Sequence, residues 1–218
     1  QGIAEGLWLF SLGIWKKVIV AEAFGGGADW GWANLPALNS TTALAVTLSY
    51  TLQLYFDFSG YTDMARGIGK MLGVTLPENF DVPYQALTIR GFWKGWHMTM
   101  TRFFTRYLYI PLGGSRRGLP RTCVNTLVIF LASGLWHGAD WSFVVWGGLH
   151  GIAMVADRLL GSRLDRLHPA LSWALTFGYV NFCWIFFRNA DFQNSMDMLG
   201  QIFTTFRPQL FPQLVEGY

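Results

Sequence analysis

Residues 135–141 read LWHGADW and separate the two apolar runs that decide how this chain folds. Residues 122–139 and 141–156 contain no Asp, Glu, Lys or Arg. Crossing about 30 Å of hydrocarbon takes roughly 20 helical residues, so each run suffices for half a crossing or more. An ionisable group between such runs is costly unless it is used, which makes His137 a candidate functional residue. The alternative is a buried histidine that hydrogen-bonds a neighbouring helix.

The composition is typical of a membrane protein. Of the 218 residues, 52% are hydrophobic, 17% aromatic and only 13% charged, whereas a soluble domain usually has about 25% charged residues. No pattern of a cleavable signal peptide is visible, and we expect residues 1–218 to belong to a single multi-pass membrane domain cut from a longer chain. Cys123 and Cys183 lie in apolar runs and indicate neither a disulfide framework nor a Cys-based metal site.

The N-terminal third predicts two membrane helices. Residues 7–24 are an apolar helix in which Lys16 and Lys17 would lie near a membrane interface, where their stems can snorkel. A glycine-containing loop is expected at 25–36, and a crossing helix at 41–56.

Two segments with charged residues follow. In residues 60–73 apolar side chains fall on one helical face and Asp63, Arg66 and Lys70 on the other, which predicts an amphipathic helix that is interfacial or lines a polar cavity. Residues 76–84 contain two prolines and predict a loop.

The C-terminal half predicts a helical hairpin and a further crossing. Residues 122–136 and 141–157 form the hairpin, with His137 at its tip, and 167–187 form another span. A helix is expected to start after Asp191 and an irregular tail to follow. The tip of the hairpin is either re-entrant within the membrane or exposed on its far side, because both arms are of marginal length.

Basic residues cluster between these helices. Residues 88–109 predict one mixed helix with a basic stripe formed by Arg90, Lys94, Arg102 and Arg106. The loops 113–121 and 158–168 carry three arginines each, which indicates that both are cytoplasmic. Lys94, Arg102, Arg116 and Arg117 are candidate ligands for the phosphates of an anionic donor, although lipid headgroups would attract the same charges.

Three histidines lie in apolar surroundings: His97, His137 and His150. Imidazole can take a proton from a hydroxyl near neutral pH, which suits a general base. No zinc-binding spacing is present, so no metal is expected. Gly147 and Gly151 are four residues apart, so the segment around His150 is more simply a close helix contact. A helix broken at Gly138 and flanked by tryptophans predicts a pocket within the membrane around His137, with His97 as a companion.

Several blocks occur in an order that resembles the membrane-bound O-acyltransferase family, and most closely its bacterial branch typified by the alginate O-acetyltransferase. The blocks are YFDFSGYTDMA at 55–65, PENFDVPY at 77–84, FWKGWH at 92–97, YLYIPLGG at 107–114, LWHG at 135–138 and WGGLHG at 146–151. The branch more often has two basic residues before Trp-His, where this chain has Lys94 and Gly95. It also more often has Ile-Ser-Leu-Ser at 98–101 and Asn at Ser115.

The resemblance implies an all-α, multi-pass membrane enzyme with a histidine tunnel, of which this chain is the C-terminal half. It implies that His137 is the catalytic residue of acyl transfer and that His97 lines the same tunnel. The expected donor is acetyl-CoA or a carrier-bound acyl group on the cytoplasmic side of a bacterial inner membrane, with no tightly bound cofactor. A periplasmic acetyltransferase partner and an exopolysaccharide acceptor such as alginate are expected, and no nucleic acid.

Two alternatives remain open from the sequence. Within the family, the acyl group transferred could be D-alanine, delivered to teichoic acid. From another class, the chain could be part of a proton-coupled transporter in which His137 belongs to a proton relay.

Overall fold

The computed structural model describes residues 2–164, 166–189 and 191–205, and this part of the chain is helical and contains no strand. The prediction of an all-α fold is therefore confirmed for it. The helices are α1 Gly2–Ile14, α2 Glu22–Ala33, α3 Ser40–Met71, α4 Ile89–Gly95, α5 Met98–Phe104, α6 Leu119–His137, α7 Trp141–Leu164, α8 Pro169–Arg188 and α9 Phe192–Thr204. Wider π-helical turns occupy Trp15–Ala21 and Thr105–Tyr109, and short 3₁₀ turns occupy Leu35–Ala37 and Pro83–Gln85.

The helices pack into two compact units. One contains the described residues of 1–78 and 193–218, and the other contains 79–192. Among the described residues, three helices are long and apolar enough to cross a membrane by length and composition, and all are in the second unit: α6, α7 and α8. They include the two arms of the predicted hairpin and the span predicted at 167–187. The helix predicted after Asp191 begins at Phe192, and the irregular tail predicted beyond it lies outside the described residues.

In the first unit, the glycines after the N-terminal helix do not form the predicted loop. The chain is helical without a break from Gly2 to Ala33, so that prediction is wrong. A Cβ atom on Gly25 would lie 2.9 Å from the Gln53 side chain, and one on Gly31 would lie 2.2 Å from Val46. The glycines let α2 lie close to α3, and this contact outweighs their low helix propensity.

Helix α3 replaces two predicted elements, the span at 41–56 and the separate helix at 60–73. It runs unbroken for 32 residues. Its start is fixed by a capping box in which the Asn39 side chain accepts from the Thr42 N–H at 2.9 Å and the Thr42 hydroxyl accepts from the Asn39 N–H at 2.8 Å. No break occurs near residue 58 because the surrounding residues lack a proline, and the glycine there, Gly60, packs against α1.

The two predicted faces of the segment 60–73 are present in α3, but they are not divided simply into inner and outer. Asp63 is buried and Lys70 is exposed, whereas Tyr61 and Ile68 on the apolar face are exposed. Gly13 and Gly60 allow the close contact with α1, since a Cβ atom on either would lie within 2.7 Å of the other's carbonyl oxygen.

Ion pairs join α3 to the N-terminal helical segment. The Lys16 ammonium contacts the Asp63 carboxylate at 2.7 Å, and Lys17 pairs with Asp57. The prediction that these two lysines lie near a membrane interface stays a prediction, and the structure adds that both form ion pairs within the protein. Each finds a carboxylate one helix away, and pairing removes the cost of an isolated charge in apolar surroundings.

In the second unit, glycines bring α6 and α7 together. A Cβ atom on Gly134 would lie 2.3 Å from the Phe143 carbonyl oxygen, and one on Gly147 would lie 2.3 Å from the Phe130 carbonyl oxygen. Gly151 also packs against α6, where an added Cβ atom would lie 3.1 Å from Leu127. The close helix contact predicted around His150 is confirmed.

Candidate active site

A sharp helix break presents His97. Residues 88–109 do not form the single helix that we predicted, because α4 ends at Gly95 and His97 adopts a left-handed backbone conformation with φ +44° and ψ +54°. The predicted stripe of basic residues is therefore divided, with Lys94 on α4 and Arg102 on α5. Left-handed backbone is uncommon for residues other than glycine and persists only where the surroundings hold it.

The loop that precedes α4 holds this break from both sides. The Asp81 N–H donates to the Gly95 carbonyl at 2.9 Å, and the Met98 N–H donates to the Asn79 carbonyl at 3.0 Å. A Cβ atom on Gly95 would lie 2.3 Å from the Asp81 carbonyl oxygen. This contact explains why a glycine occupies a position where the family branch more often has a basic residue.

The Asn79 side chain connects the same loop to the histidine. Its Oδ1 atom accepts from the Thr99 N–H at 3.1 Å and from the Thr99 hydroxyl at 2.6 Å, and it lies 3.3 Å from His97 Nδ1. Sequence reasoning placed Asn79 in a loop and in a family block but gave it no role. No signal in a single sequence connects a loop asparagine with a histidine 18 positions later.

His137 is the last residue of α6, at the tip of the hairpin. Its half-buried imidazole stands edge-on against the rings of Trp146, with centroids 5.4 Å apart, and Phe187, with centroids 4.9 Å apart. Gly138 is required for space rather than for backbone freedom. Its φ of 169° is extended, and an added Cβ atom would lie 2.5 Å from the ring of Phe143.

The tryptophans predicted to flank the pocket do not line it. Trp136 is 70% exposed and Trp141 is 74% exposed. The aromatic wall comes instead from Trp146 on α7 and Phe187 on α8, which sequence spacing could not identify because both are distant in the chain.

His97 and His137 lie close to each other although 40 positions separate them in the sequence. Burial lowers the pKa of His97, and the positive charge that His137 can carry lowers it further. Met100 in the first turn of α5 contacts Ser133, one turn before His137, with 4.0 Å between its sulfur and the serine hydroxyl. The first turn of α5, which follows His97, therefore lies against the last turns of α6, which ends at His137.

His150 occupies a different position, inside the aromatic core. It is fully buried, and its Nδ1 accepts from the Trp93 indole N–H at 3.2 Å. Its ring lies 5.1 Å from that of Trp146, the same ring that contacts His137. His150 therefore supports the wall of the site from behind.

A cavity of about 240 Å³ is lined by Met100, three residues after His97, and by Ser133, four residues before His137. Tyr109, Ser115 and Arg158 line it as well. Most of the lining is apolar, with threonines from α5 and α6. Such a shape suits a slender, mostly apolar chain with a polar end.

The predicted donor ligands Lys94, Arg102, Arg116 and Arg117 are exposed, and none of them lines this cavity. Arg116 and Arg117 precede α6, whose opposite end carries His137. Nineteen helical residues separate these ends by roughly 28 Å. Arg158, also exposed, is a cation that sequence reasoning assigned only to topology.

Within the described residues, no three His, Cys, Asp or Glu side chains are grouped so that they could hold a metal ion.

Comparison with known proteins identifies the family. The sequence profile of the membrane-bound O-acyltransferase family matches residues 6–191. This chain belongs to the membrane-bound O-acyltransferase family. The resemblance seen in the ordered blocks is thereby confirmed, and the three apolar helices of the second unit agree with a membrane-bound family.

Several similar proteins have names that describe the transfer of an acyl group. The chain is 43% identical to the peptidoglycan O-acetyltransferase of Helicobacter pylori, over 91% of this chain and 38% of that protein. It is 40% identical to the probable alginate O-acetylase AlgI of Pseudomonas aeruginosa, over 92% of this chain and 39% of that protein. The teichoic acid D-alanyltransferase of Bacillus subtilis is 26% identical, over 74% of this chain and 45% of that protein. The chain thus spans about two fifths of the length of the O-acetyltransferase relatives.

Proposed function

We propose that this chain carries the acyl-transfer site of an intramembrane O-acetyltransferase. The observation that carries the proposal is the contact of α5, which begins after His97, with the end of α6, which carries His137, in a chain of the membrane-bound O-acyltransferase family. The enzyme would pass an acetyl group from a cytoplasmic thioester to a polysaccharide hydroxyl on the opposite side of a bacterial inner membrane.

His137 acts as the general base in the proposed reaction. Its imidazole takes the proton from the acceptor hydroxyl, whose oxygen attacks the thioester carbonyl carbon. The carbon–sulfur bond then breaks, the ester is formed, and the leaving thiolate takes up the proton from His137. The C-terminal end of α6, where His137 lies, carries partial negative charge and stabilises the imidazolium formed during the step.

The cavity suggests how a donor would reach the histidines. Coenzyme A and acyl carriers both present their thioester at the end of a narrow arm with a phosphate at the other end. We assign the arm to the cavity lined by Met100 and Ser133, and the phosphate to Arg158. Acetyl-CoA is the donor that we expect, with no cofactor retained after the reaction.

The acceptor is proposed from the relatives' names. Peptidoglycan and alginate O-acetylases at about 40% identity favour a cell-envelope or secreted polysaccharide, with alginate as the acceptor expected from sequence. A periplasmic acetyltransferase that completes delivery would be a partner. The D-alanyltransferases, at 26–27% identity, make D-alanine transfer the second candidate.

The test measures transfer in membranes that contain the full protein. His137→Ala should lower acetyl transfer by about 10²- to 10⁴-fold, the usual contribution of a general base, while protein abundance stays normal. His97→Ala should cause a large but smaller loss. His168→Asn is the matched control, because His168 caps α8 through the Ala170 N–H and asparagine also caps helices well.

Four outcomes decide the proposal. Wild-type activity in His137→Ala would contradict the catalytic assignment, and wild-type activity in His97→Ala would leave that residue a packing role. Transfer from a D-alanyl carrier but not from acetyl-CoA would select the second candidate. Substrate transport by the reconstituted protein, without acyl transfer, would favour the transporter hypothesis.

A further inference from the structure

Asn79 has hydrogen bonds that determine how His97 is protonated. A backbone N–H can only donate, so the Asn79 side-chain atom that faces the Thr99 N–H at 3.1 Å is the carbonyl oxygen and not the amide nitrogen. The same oxygen lies 3.3 Å from His97 Nδ1. Because the oxygen can only accept, a hydrogen bond between these two atoms forms only when Nδ1 carries the proton.

The consequence falls on the other ring nitrogen. In a neutral imidazole one nitrogen carries the proton and the other carries a lone pair. With the proton on Nδ1, the His97 Nε2 atom is an acceptor, able to receive a hydrogen bond from a hydroxyl or from an N–H group. The opposite tautomer would place two acceptors, Nδ1 and the Asn79 oxygen, against each other.

We infer that Asn79 is a positioning residue that holds His97 in the tautomer with an acceptor at Nε2. The inference rests on the proposed function, because it concerns the second histidine of the same site. It gives His97 the role of accepting a hydrogen bond from substrate or from His137, rather than that of a donor.

The backbone around His97 supports this role. The left-handed conformation of His97 is held by the Met98 N–H bond to the Asn79 carbonyl and by the Asp81 N–H bond to the Gly95 carbonyl. One residue, Asn79, thus fixes both the backbone next to His97 and the proton on its ring. A strained residue that is held so firmly is typical of a functional site.

The segments next to His97 carry other titratable or charged residues. Lys94 is on α4, Asp81 on the loop before it, Arg102 on α5 and His137 at the end of α6. Of these, His137 acts on His97 electrostatically and opposes its protonation. A new negative charge at position 79 would instead favour protonation of His97, because the side-chain oxygen lies 3.3 Å from His97 Nδ1.

The test compares pH profiles of acetyl transfer. Asn79→Asp keeps the shape and all three contacts of the oxygen but adds a negative charge, which stabilises the imidazolium of His97. If activity needs neutral His97, the pH at which activity falls to half on the acid side should rise by about 1 unit or more. Asn79→Leu removes the acceptor and should lower kcat about tenfold or more with KM for acetyl-CoA nearly unchanged.

Thr99→Val is the control for general damage to this loop. It removes the hydroxyl that bonds the same oxygen at 2.6 Å but leaves the Asn79–His97 contact. It should change activity less than about twofold and leave the pH profile in place. A Thr99→Val effect as large as that of Asn79→Leu would assign Asn79 a merely structural role.

The outcomes separate this inference from the proposed function. If membranes that contain the wild-type protein show no acetyl transfer, the proposed function itself is contradicted. Normal wild-type transfer, with an Asn79→Asp profile that superimposes on the wild-type profile, would overturn the role of Asn79 alone. If Asn79→Leu fails to accumulate, the profile of Asn79→Asp decides, since that variant changes only charge.

Discussion

At the scale of single residues, the candidate phosphate-binding arginines differ in whether they line the cavity. Arg158 lines the cavity that Met100 and Ser133 also line, whereas Arg116 and Arg117 are exposed in the turn before α6 and do not line it. A guanidinium beside a cavity can form paired hydrogen bonds with a phosphate at its opening. An exposed arginine in a loop contributes mainly to topology and to contacts with lipid headgroups.

We therefore predict that Arg158→Gln raises the KM for acetyl-CoA about tenfold, with a smaller change in kcat. One charge-assisted contact is worth about 1.5–3 kcal/mol, which corresponds to roughly tenfold or more in affinity. Arg117→Gln is the matched control and should leave the KM within about twofold. The measurement is steady-state transfer at varied acetyl-CoA. If Arg117→Gln raises the KM and Arg158→Gln does not, the donor phosphates are bound by the loop arginines that the sequence indicated.

Residue types and spacing were sufficient to predict the two histidines but not their partners. His97 and His137 stand out because ionisable groups are rare in apolar sequence. Asn79, Trp146 and Phe187 do not stand out, because asparagine is ordinary in a loop and aromatic residues are ordinary in a membrane helix. Their roles depend on which helices pack against each other, and this is known only from the folded structure.

At the scale of elements, glycines on α7 provide a direct test of close packing. An added Cβ atom on Gly147 would lie 2.3 Å from the Phe130 carbonyl oxygen, whereas one on Gly148 would lie 3.8 Å from the Leu131 side chain. Gly147→Ala should therefore force α6 and α7 apart and cost about 1–3 kcal/mol, as overpacking usually does. Gly148→Ala should be neutral or stabilising by up to about 1 kcal/mol through helix propensity.

The readout is the thermal unfolding midpoint of the protein in detergent, together with acetyl transfer. Because the hairpin carries His137, Gly147→Ala should lower both, and Gly148→Ala should lower neither. Equal midpoints for the two variants would mean that the close contact between α6 and α7 is not required for stability.

Sequence periodicity predicted most helices but misjudged where some of them begin and end. The α6–α7 hairpin and α8 were predicted because long uncharged runs have few other solutions in a membrane. The break at His97 was missed because contacts with a loop residue, Asn79, create it. The two faces of the segment 60–73 were predicted, but periodicity shows two faces without showing what each one contacts.

At the scale of the whole molecule, ion pairs in the first unit join segments that are distant in the sequence. Lys16 pairs with Asp63 and Lys17 with Asp57, while apolar side chains such as Trp15 and Ile19 are exposed. Composition alone indicated the membrane, while the pairing partners depended on the packing of distant segments.

The α6–α7 hairpin gives the last prediction, which concerns its orientation. Trp136 and Trp141 at its tip are exposed, and tryptophan concentrates at membrane–water interfaces. Both arms are long enough to cross by length and composition. We therefore propose that the hairpin crosses fully, with its tip at the periplasmic interface and the arginine-rich loops in the cytoplasm.

Cysteine labelling tests this orientation after Cys123 and Cys183 are replaced by serine and alanine. A cysteine at position 140, next to Trp141, should react with a membrane-impermeant maleimide added to intact spheroplasts. A cysteine at position 117 should react only after the membrane is permeabilised, because three arginines hold that loop on the cytoplasmic side. Protection of position 140 under both conditions would show a re-entrant hairpin whose tip stays within the membrane. His137 would then be reached by the acceptor through a deeper path, and the polysaccharide would have to enter the membrane to meet it.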